Sequence, residues 1–487
     1  MKITKKNDVY LEIETDQGTS RELSDFFTFE VPGAKFMPAY KRKVWDGKIR
    51  LFSPSTGQIY YGLLPYIQEF CSRNEIDYEL DGVDSPRKIN DEDCKQFLQS
   101  LKPQSKGKSI DYREYQIDAF IHAIRSHRAL LLSPTASGKS LIIYSLVRFY
   151  EMLLSDKEQD KILILVPTTS LVEQMYSDFI DYGWSDKHVQ RIYSGHDKEV
   201  SKKVVISTWQ SIYKFPKEYF AQFGCVIGDE AHLFKAKSLT SIMEKMTDCK
   251  YRIGLTGTLD GTQTHRLVLE GVFGGVKKVV TTKELIDKKT LAEFKINALV
   301  LTYPPEECKL VKDMTYQEEI DYIVSHVKRN EFIVNLTKHL KGNTLVLFQF
   351  VEKHGSVLYD MFDDDTRKVF FVHGGTDTQT REDIREITEK EKNAIIVASY
   401  GTFSTGINIR HLHNIVFASP SKSRIRTLQS IGRGLRRGES KDSAVLFDIA
   451  DNLTHGSKPN FTLNHFMERI NIYAEEEFDY EIERIKL

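Results

Sequence analysis

Net charge is nearly absent from this sequence, because 68 lysine and arginine residues are balanced by 69 aspartate and glutamate residues, which leaves a formal charge of −1. A neutral chain has no overall field that would draw it onto a polyanion, so any nucleic-acid binding must come from local basic patches. Long apolar runs are also absent, since stretches such as 162–166 are far shorter than the about 20 residues of a membrane-spanning helix. We therefore expect neither global attraction to nucleic acid nor a membrane protein.

Cysteine is scarce, and its placement excludes two kinds of site. The five cysteines are far apart and never form a C-x-x-C pair, which disfavours both a disulfide framework and a zinc site. The charged N-terminus is not followed by the apolar segment of a secretory signal. Together these absences predict a reducing compartment and a cytoplasmic location. What is present is an ordinary globular composition, 40% hydrophobic and 28% charged, which argues against wholesale disorder.

Three regions of different texture follow one another along the 487 residues. The N-terminal region carries short aromatic-rich runs broken by turn residues, and a polar linker covers 102–109. From residue 111, and again from residue 344, short continuous apolar runs alternate with helical segments, which is typical of parallel sheets buried on both faces. The sequence thus predicts an α/β protein with two parallel-sheet domains in tandem (109–283 and 284–487) after a small N-terminal α+β domain (1–103). No internal sequence repeat is visible, and the C-terminal stretch is predicted to be helical over 464–487.

A phosphate-binding loop is predicted from the run SPTASGKS, which stands between an apolar run and a helix-length segment. Backbone N–H groups around Ser137 and Gly138, with the following helix N-terminus, suit phosphate oxygens. Lys139 would neutralise phosphate charge, and Ser140 would offer a hydroxyl to Mg²⁺. Ser133 stands at the start of the loop, where glycine is usual, and an alanine replaces another common glycine. The alternative is a plain strand-to-helix turn with a solvated lysine.

Two adjacent carboxylates, Asp229 and Glu230, follow another apolar run, at the edge of a parallel sheet where ligands bind. Asp229 would hold Mg²⁺, and Glu230 would orient and polarise the attacking water. The alternative is a solvated acidic loop. The pair follows Lys139 by 90 residues within one strand–helix unit, and this order favours an ATPase.

These motifs resemble those of superfamily-2 helicases, and the chain is most similar to the phage UvsW-type recombination helicases, which are compared in function with RecG. The helicase core of that family corresponds to 111–451, and the segment PGAKFMPAYKRKVWDGKIRLF resembles the family's N-terminal module. The resemblance implies two RecA-like domains that bind ATP between them, with Mg²⁺ as cofactor. It also implies the host cytoplasm as the location of a phage-encoded member.

The resemblance also assigns roles to residues whose motifs match position by position. Gln116 would recognise adenine, and Arg433 and Arg436 would reach the γ-phosphate as arginine fingers. Asn408 stands where many relatives have aspartate, and Ser430 replaces a frequent arginine, so neither a charged ribose contact nor a third basic contact is expected. The implied catalytic residues are Lys139, Glu230, Arg433 and Arg436; the nucleotide-binding residues are Gln116, Ser137, Gly138, Lys139, Ser140, Asp229, Gly406, Arg433 and Arg436; the metal ligands are Ser140 and Asp229; and the DNA-contacting residues of the core are Thr168, Thr208, Gln349 and Thr405.

A basic patch near the N-terminus is a further predicted contact with nucleic acid. Six cations lie within sixteen residues and are interleaved with aromatic side chains, which suit base stacking or wedging at a junction. We expect Lys41, Arg42 and Lys43 to grip duplex DNA ahead of the motor. The alternative is a small hairpin whose aromatic residues form its own core, and Trp45 in particular favours that interpretation. The six cations of the basic patch are Lys35, Lys41, Arg42, Lys43, Lys48 and Arg50.

The predicted function is an ATP-dependent DNA helicase or translocase. By resemblance it would act on branched DNA in recombination, repair and replication, through fork regression, Holliday-junction branch migration and unwinding of D-loops or R-loops. Its partners would be single-stranded and duplex DNA without sequence preference, together with a single-strand-binding protein or a small accessory protein. Three alternatives stay open: the DNA-translocating motor subunit of a restriction-type system, an RNA helicase, and a nucleic-acid annealing clamp that ATP regulates.

Overall fold

The protein was analysed as a computed structural model that describes residues 1–155, 157–362, 366–402, 411–421, 423, 431–432 and 443–487. The chain divides into two compact units, the first with residues 1–133 and 138–279 and the second with residues 134–137 and 280–487. The first unit contains an N-terminal module and a parallel sheet, and the second contains another parallel sheet.

The N-terminal module is a small α+β structure around a mixed five-stranded sheet with the order β5-β6-β2-β1-β7. A separate antiparallel pair, β3 and β4, flanks the basic patch. Alternate residues of β1 and β2, such as Ile3 and Leu11, are fully buried against Phe27 and Ile67. Its elements are β1 (Lys2–Lys5), β2 (Tyr10–Glu14), α1 (Gln17–Phe26), β3 (Thr28–Glu30), α2 (Pro38–Lys41), β4 (Lys48–Arg50), β5 (Phe52–Ser53), β6 (Gln58–Tyr60), α3 (Leu64–Arg73), β7 (Glu79–Asp81), α4 (Asp91–Ser100), β8 (Gln104–Ser105) and β9 (Lys108–Ser109).

The first parallel sheet has seven strands in the order β12-β13-β11-β14-β15-β10-β16. Successive residues of its strands enter two different cores: Ile162 and Ile164 pack on one face, and Leu163 and Leu165 pack on the other. The continuous apolar runs follow from this burial on both faces. Its elements are α5 (Glu114–Ser126), β10 (Arg128–Leu132), α6 (Lys139–Leu153), β11 (Lys161–Val166), α7 (Thr169–Asp181), β12 (Val189–Ile192), β13 (Val204–Thr208), α8 (Trp209–Ile212), α9 (Lys217–Phe220), β14 (Phe223–Asp229), α10 (Lys237–Lys245), β15 (Tyr251–Thr256), α11 (Gln263–Phe273) and β16 (Val276–Lys278).

The second parallel sheet also has seven strands, in the order β19-β20-β18-β21-β22-β17-β23. A short π-helix over Val351–Gly355 interrupts the α-helical geometry directly after β18. The elements are α12 (Thr282–Asp287), β17 (Glu293–Thr302), α13 (Pro305–Val311), α14 (Tyr316–Ser325), α15 (Val327–His339), β18 (Thr344–Phe348), α16 (Ser356–Asp360), β19 (Val369–Val372), α17 (Thr378–Lys390), β20 (Ile395–Ser399), β21 (Asn414–Phe417), β22 (Ser443–Asn452), α18 (Phe461–Glu475) and β23 (Asp479–Lys486).

The two parallel sheets share one topology. If the seven strands of each sheet are counted along the chain, both have the order 3-4-2-5-6-1-7, and every pairing is parallel. The repetition is structural, since the sequence shows no repeat. These two RecA-like domains and the small α+β module confirm the predicted fold class. The domain boundaries that are predicted from the sequence (1–103, 109–283 and 284–487) stay predictions.

The N-terminal module packs tightly on the first parallel sheet and its helices. A Cβ built on Gly62 would lie 1.9 Å from the carbonyl oxygen of Glu270, so the two backbones touch and only glycine fits. The guanidinium of Arg128 lies 4.2 Å from the ring centre of Tyr61. Asp84 of the module pairs with Lys250 at 2.6 Å. Apolar, aromatic and ionic contacts therefore hold the module in one orientation within the first unit.

One predicted element is wrong in part. The helix predicted over 464–487 is present as α18, but it ends at Glu475, and residues 479–486 form the edge strand β23 beside β17. The sequence of this segment predicts a solvated helix because charged residues occur on both faces of the strand, so the alternation of apolar and polar residues typical of a strand is missing. Among the described residues, no helix is long and apolar enough to cross a bilayer.

Candidate functional site

The predicted phosphate loop connects β10 to α6 at the carboxyl edge of the first sheet. Ala136 and Gly138 both have left-handed backbone angles, with φ of 65° and 85°. Ser137 Oγ donates to the carbonyl oxygen of Pro134 at 2.7 Å. Ser133 N donates to the oxygen of Thr256, at the end of the neighbouring strand β15, at 2.8 Å. The loop is thus a tight turn into the N-terminus of a 15-residue helix, as a phosphate cradle requires.

Gln116 lies against this loop. It is 5% exposed, and a Cβ built on Gly138 would lie 2.3 Å from its Nε2. Its Oε1 accepts a hydrogen bond from Arg113 N at 2.9 Å, so part of the amide caps its own helix, α5. The structure therefore brings Gln116 to the loop, and any side chain at position 138 would displace it.

The two predicted carboxylates face the lysine of the loop. Asp229 is the last residue of β14 and is 8% exposed, and Glu230 follows it with a left-handed φ of 50°. Lys139 Nζ lies 3.8 Å from Glu230 Oε1. Burial and, after it, the charge of Glu230 raise the pKa of Asp229 to about 6, while Lys139 opposes this rise. Two carboxylates therefore share one lysine in a site with little solvent.

This excess of negative charge bears on the predicted Mg²⁺. No group of three or more His, Cys, Asp or Glu side chains that could hold a metal ion occurs in the described part of the chain. Mg²⁺ in nucleotide sites needs fewer protein ligands, because it keeps waters and takes the remaining oxygens from phosphates. Asp229, a buried carboxylate beside Glu230, and the hydroxyl of Ser140 fit such a sparse donor set.

A series of polar contacts connects the acidic motif to the segment at 256–258. His232 Nδ1 lies 2.9 Å from Thr256 Oγ1 and 3.4 Å from Glu230 Oε2. Thr256 Oγ1 donates to the carbonyl oxygen of Thr258 at 2.9 Å. A displacement of Glu230 would therefore reach Thr258 through two side chains.

Tyr182 is a site residue that no sequence motif indicates. Burial raises the pKa of its hydroxyl, which hydrogen bonds to the side chain of Ser140. The contact joins residue 182 to residue 140 across α6 and α7, so no local pattern marks it. Its position next to the predicted metal ligand makes it part of the site's surroundings.

Three of the core residues predicted to contact DNA, Thr168, Thr208 and Gln349, lie at the carboxyl ends of strands in their sheets. Thr168 Oγ1 caps α7 by accepting from Leu171 N at 3.3 Å. Thr208 is 4% exposed, and its hydroxyl lies 2.8 Å from Ser211 Oγ, so little of it faces solvent. Gln349 is exposed at the end of β18. The predictions for Thr405, Gly406, Asn408, Gln429, Ser430, Arg433 and Arg436 lie outside the described residues.

A buried relay fixes the backbone at Gln349, and it too lacks a sequence motif. Gln349 N donates to Ser419 Oγ (3.0 Å), and Ser419 Oγ lies 2.7 Å from Nδ1 of His354. The other ring nitrogen, Nε2, lies 3.2 Å from Asn330 Oδ1, which can only accept, since Asn330 Nδ2 donates to Val324 O. His354 therefore carries its proton on Nε2 and accepts from Ser419. Burial lowers the pKa of this histidine to about 3, which keeps it neutral.

The basic patch is a solvent-exposed tip. Phe36 and Val44 are 81% and 76% exposed, so this part of the module is no hydrophobic core. Lys41, Arg42 and Lys43 are all exposed, at the end of α2 and in the turn after it. Trp45 is half-buried, and its Nε1 donates to the carbonyl oxygen of Lys48 at 2.8 Å. A surface depression of about 620 Å³ is lined by Lys35, Tyr40, Lys41, Lys43, Val44, Trp45 and Asp46.

Tandem RecA-like sheets with a phosphate loop and a carboxylate pair define the core of a superfamily-2 helicase. Three family models match the chain: "DNA helicase UvsW, N-terminal" over residues 1–81, "Type III restriction enzyme, res subunit" over 109–261 and "Helicase conserved C-terminal domain" over 327–438. The ATP-dependent DNA helicase uvsW of Enterobacteria phage T4 is 37% identical, and the alignment covers 98% of each protein. The chain therefore belongs to the UvsW family of ATP-dependent DNA helicases.

Further similarities agree with this family. The crystal structure of T4 UvsW aligns with 100% of this chain and 99% of that one, at 36% identity and a TM-score of 0.54. The DNA 3'-5' translocase XPB2 of Sulfurisphaera tokodaii is 22% identical over 70% of this chain and 81% of that protein. The restriction-modification enzyme LlaBIII bound to DNA, at 16% identity and a TM-score of 0.55, shares the fold over 78% of this chain and 32% of its own.

Proposed function

We propose that the chain is an ATP-driven DNA translocase that acts on branched DNA, in fork regression, Holliday-junction branch migration and unwinding of D-loops or R-loops. The observation that carries the proposal is the arrangement of Lys139, Asp229 and Glu230 around the phosphate loop, in a chain of the UvsW family. As parts of the same proposal, it works in the host cytoplasm and is assisted by a single-strand-binding protein or a small accessory protein.

The chain's own residues have separate roles in ATP hydrolysis. The N–H groups of the loop and Lys139 bind the phosphates. Ser140 and Asp229 would hold Mg²⁺, which when bound neutralises charge on the phosphate oxygens. Glu230 orients the attacking water and accepts its proton, and the low solvent exposure of the pair strengthens these interactions. Arg433 and Arg436 keep their predicted role at the γ-phosphate.

The basic patch would provide a second contact with DNA. Its exposed lysines suit phosphate oxygens, and exposed Phe36 suits stacking or insertion at a junction. Contacts of this kind carry no base sequence, so binding should be sequence-independent and should weaken with salt. The N-terminal module that carries the basic patch packs on the first parallel sheet through Gly62 and Tyr61, so the patch and Lys139 belong to one compact unit.

The central experiment is steady-state ATP hydrolysis without nucleic acid and with single-stranded DNA, forked DNA or single-stranded RNA. We expect strong stimulation by DNA, greatest with the fork. The variant Glu230→Gln should lose about 10²- to 10⁴-fold in rate, the usual share of a general base. Glu218→Gln, at an exposed carboxylate of α9, serves as the control and should behave as wild type.

Each other outcome supports a named alternative. Stimulation by RNA alone would identify an RNA helicase. DNA binding without turnover under any condition would identify an annealing clamp. The restriction-type motor is the less favoured enzyme, because its family model covers only 109–261 whereas the UvsW relative covers nearly the whole chain. ATP-dependent DNA cleavage in the presence of a partner subunit would support the restriction-type motor instead.

The basic patch has its own test, in which Lys41, Arg42 and Lys43 are all replaced by alanine. We expect weaker binding of forked DNA, and the slope of log affinity against log salt should fall by about one for each phosphate that the variant no longer neutralises. The control replaces three other exposed lysines of the first unit, Lys187, Lys217 and Lys237, by alanine. An unchanged affinity and slope in the first triple variant would remove the basic patch from the DNA-binding surface.

A further inference from the structure

A cavity in the second unit belongs to none of the predicted motifs. It has a volume of about 310 Å³ and is bordered by the segment after β17 and the segment after β22. Its buried lining combines apolar Val311 and Leu453, which are 2% and 1% exposed, with the polar side chains of Glu319 and Asn460. Its exposed lining includes Lys312, His455 and Lys458. We call it the β17–β22 cavity.

The place of this cavity in the sheet corresponds to that of the phosphate loop. The first and sixth strands along the chain are neighbours in both sheets. In the first sheet, the loop after strand 1 is tied to the end of strand 6 by the bond from Ser133 N to Thr256 O. In the second sheet, the segments after the same two strands, β17 and β22, border the cavity. The cavity of the second sheet therefore lies beside the same pair of strands as the phosphate loop of the first sheet, but the residues that line it begin at Val311, the last residue of α13.

Two features prevent this cavity from holding phosphates as the phosphate loop does. Pro304 and Pro305 follow β17, and proline has no N–H to offer to a phosphate oxygen. The N-terminus of α18, which would attract an anion, is already occupied by the carboxylate of Glu319, which is 2% exposed. Glu319 accepts hydrogen bonds from Phe461 N at 2.9 Å and from Thr462 N at 2.8 Å. The anionic part of a ligand must therefore stay at the exposed mouth.

The mouth combines aromatic rings with positive charge. Phe461 lines the cavity and is 43% exposed, and Tyr316, itself 40% exposed, packs edge-on against it with ring centres 6.1 Å apart. A tight turn pairs His455 with Lys458 and presents both at the rim. Lys312 lies 3.7 Å from Asp313, which reduces its net charge. An exposed ring beside Lys458 and His455 suits a flat base that carries a phosphate.

We propose that the β17–β22 cavity is a nucleotide site, which takes a base against Phe461 and leaves the phosphate at Lys458 and His455. The inference rests on the proposed motor function, because its natural ligand would be one nucleotide of the DNA strand bound at the same edge of the sheet. Gln349 follows β18, which is two strands from β22. Since neighbouring strands lie about 4.8 Å apart, about 10 Å separates the two strand ends. A few nucleotides of single-stranded DNA cover that distance.

The test measures binding of a short single-stranded oligodeoxynucleotide to the full chain. Phe461→Ala removes the ring but keeps the backbone bond to Glu319, and it should weaken binding by about five- to a hundredfold, the usual range for one stacked base. Lys458→Ala should weaken binding less and reduce its salt dependence. The matched control is Met467→Ala, at a residue on the same helix that is 57% exposed and lies outside the lining.

A second variant, Phe461→Trp, reports occupancy directly through its fluorescence. Wild-type protein serves as the blank, because Trp45, Trp184 and Trp209 contribute their own signal. Titration with the oligodeoxynucleotide should change the added signal, and titration with dAMP in a Lys139→Ala background shows whether a free nucleotide also enters. A response to the oligodeoxynucleotide assigns the site to the DNA strand, and a response to dAMP alone assigns it to a free nucleotide.

The proposal is overturned if Phe461→Ala binds DNA as tightly as Met467→Ala and Phe461→Trp responds to neither ligand. This failure is distinct from failure of the proposed motor function. In the first case, wild-type protein still hydrolyses ATP in response to DNA. In the second case, wild-type protein shows no such response, whatever the variants of the cavity do.

Discussion

The two parallel sheets have the same strand order but differ in how they treat the carboxylates near their strand ends. In the first sheet, Asp229 and Glu230 share a single lysine, and burial raises the pKa of Asp229 to about 6. In the second sheet, Asp451 is fully buried and receives two hydrogen bonds from Arg329, at 2.7 and 3.0 Å. The first arrangement leaves carboxylates available to a ligand. The second satisfies its carboxylate within the protein.

A second buried pair shows that this internal neutralisation is a pattern. Asp448 is also fully buried, and it receives two hydrogen bonds from Arg469 and one from the hydroxyl of Tyr473. Asp451 likewise receives a bond from the hydroxyl of Tyr303. The same strand order thus carries ligand-accessible carboxylates in the first sheet and internally neutralised carboxylates in the second. The difference lies in whether an arginine and a tyrosine hydroxyl bind the carboxylate.

The largest expected effect comes from breaking one of the internal pairs. Arg329→Met should lower the free energy of unfolding by about 3–5 kcal/mol, because Asp451 would stay buried without its charged partner. Urea unfolding of the full chain, followed by circular dichroism, measures it. The double variant Arg329→Met, Asp451→Leu should recover most of the stability, since an apolar pair can replace a buried ion pair. A single variant as stable as wild type would contradict the comparison.

A smaller effect is expected from the relay at the end of β18. His354→Ala should lower the free energy of unfolding by about 1–3 kcal/mol, because the buried hydroxyl proton of Ser419 and the buried Oδ1 of Asn330 would each lose the hydrogen bond to the imidazole. The same urea experiment measures it. Lys353→Ala, next in the chain but exposed, is the control and should have little effect. If both variants unfold alike, the relay has no role in holding Gln349.

The smallest effect is a difference in pH dependence between the two sheets. The pKa of His354 is lowered to about 3 in the folded state, so its contribution is complete above pH about 6.5 and is lost as pH falls toward 3. The pKa of Asp229 is raised to about 6, so acidification below pH 6 relieves a cost instead. Each group changes the free energy of unfolding by at most about 1.4 kcal/mol per pH unit.

Two variants separate these opposite contributions. On acidification from about pH 7 to about pH 5, His354→Gln should lose less stability than wild type. Asp229→Asn should lose more stability than wild type over the same range. Unfolding curves in urea at several pH values give both slopes. If Asp229→Asn loses no more stability on acidification than wild type, the carboxylate pair of the first sheet is not held at a cost.

The sequence predicts much of this fold because its strands are continuous apolar runs. Runs such as 162–166 and 344–348 are typical of buried strands, and both are buried strands. The prediction fails at β23, where the run DYEIERIK has charge on both faces, although the strand pairs in parallel with β17 and Lys295 bonds to Glu481 across the pair. Among the residues that pack around these strands, Cys225 and Trp184 are buried, and Trp209 is partly buried against the core.

The candidate site is predictable to the extent that it is local. Lys139 and Gly138 stand in one short run, and Asp229 with Glu230 in another, so their spacing identifies them. Partners that are distant in the chain leave no such mark: Arg329 and Asp451 are 122 residues apart, and Glu319 caps a helix that begins 142 residues later. Pairings of this kind depend on the assembled sheet, and only the structure shows them.

The close approach of Gly62 to Glu270 has a consequence for how force could be applied to DNA. Where two backbones touch, there is no room for a hinge at that point, so the N-terminal module and the sheet that carries Lys139 form one compact unit. A DNA duplex bound at the exposed tip around Lys41 would therefore be attached to the same unit as Lys139. Its displacement would have to originate elsewhere in the molecule.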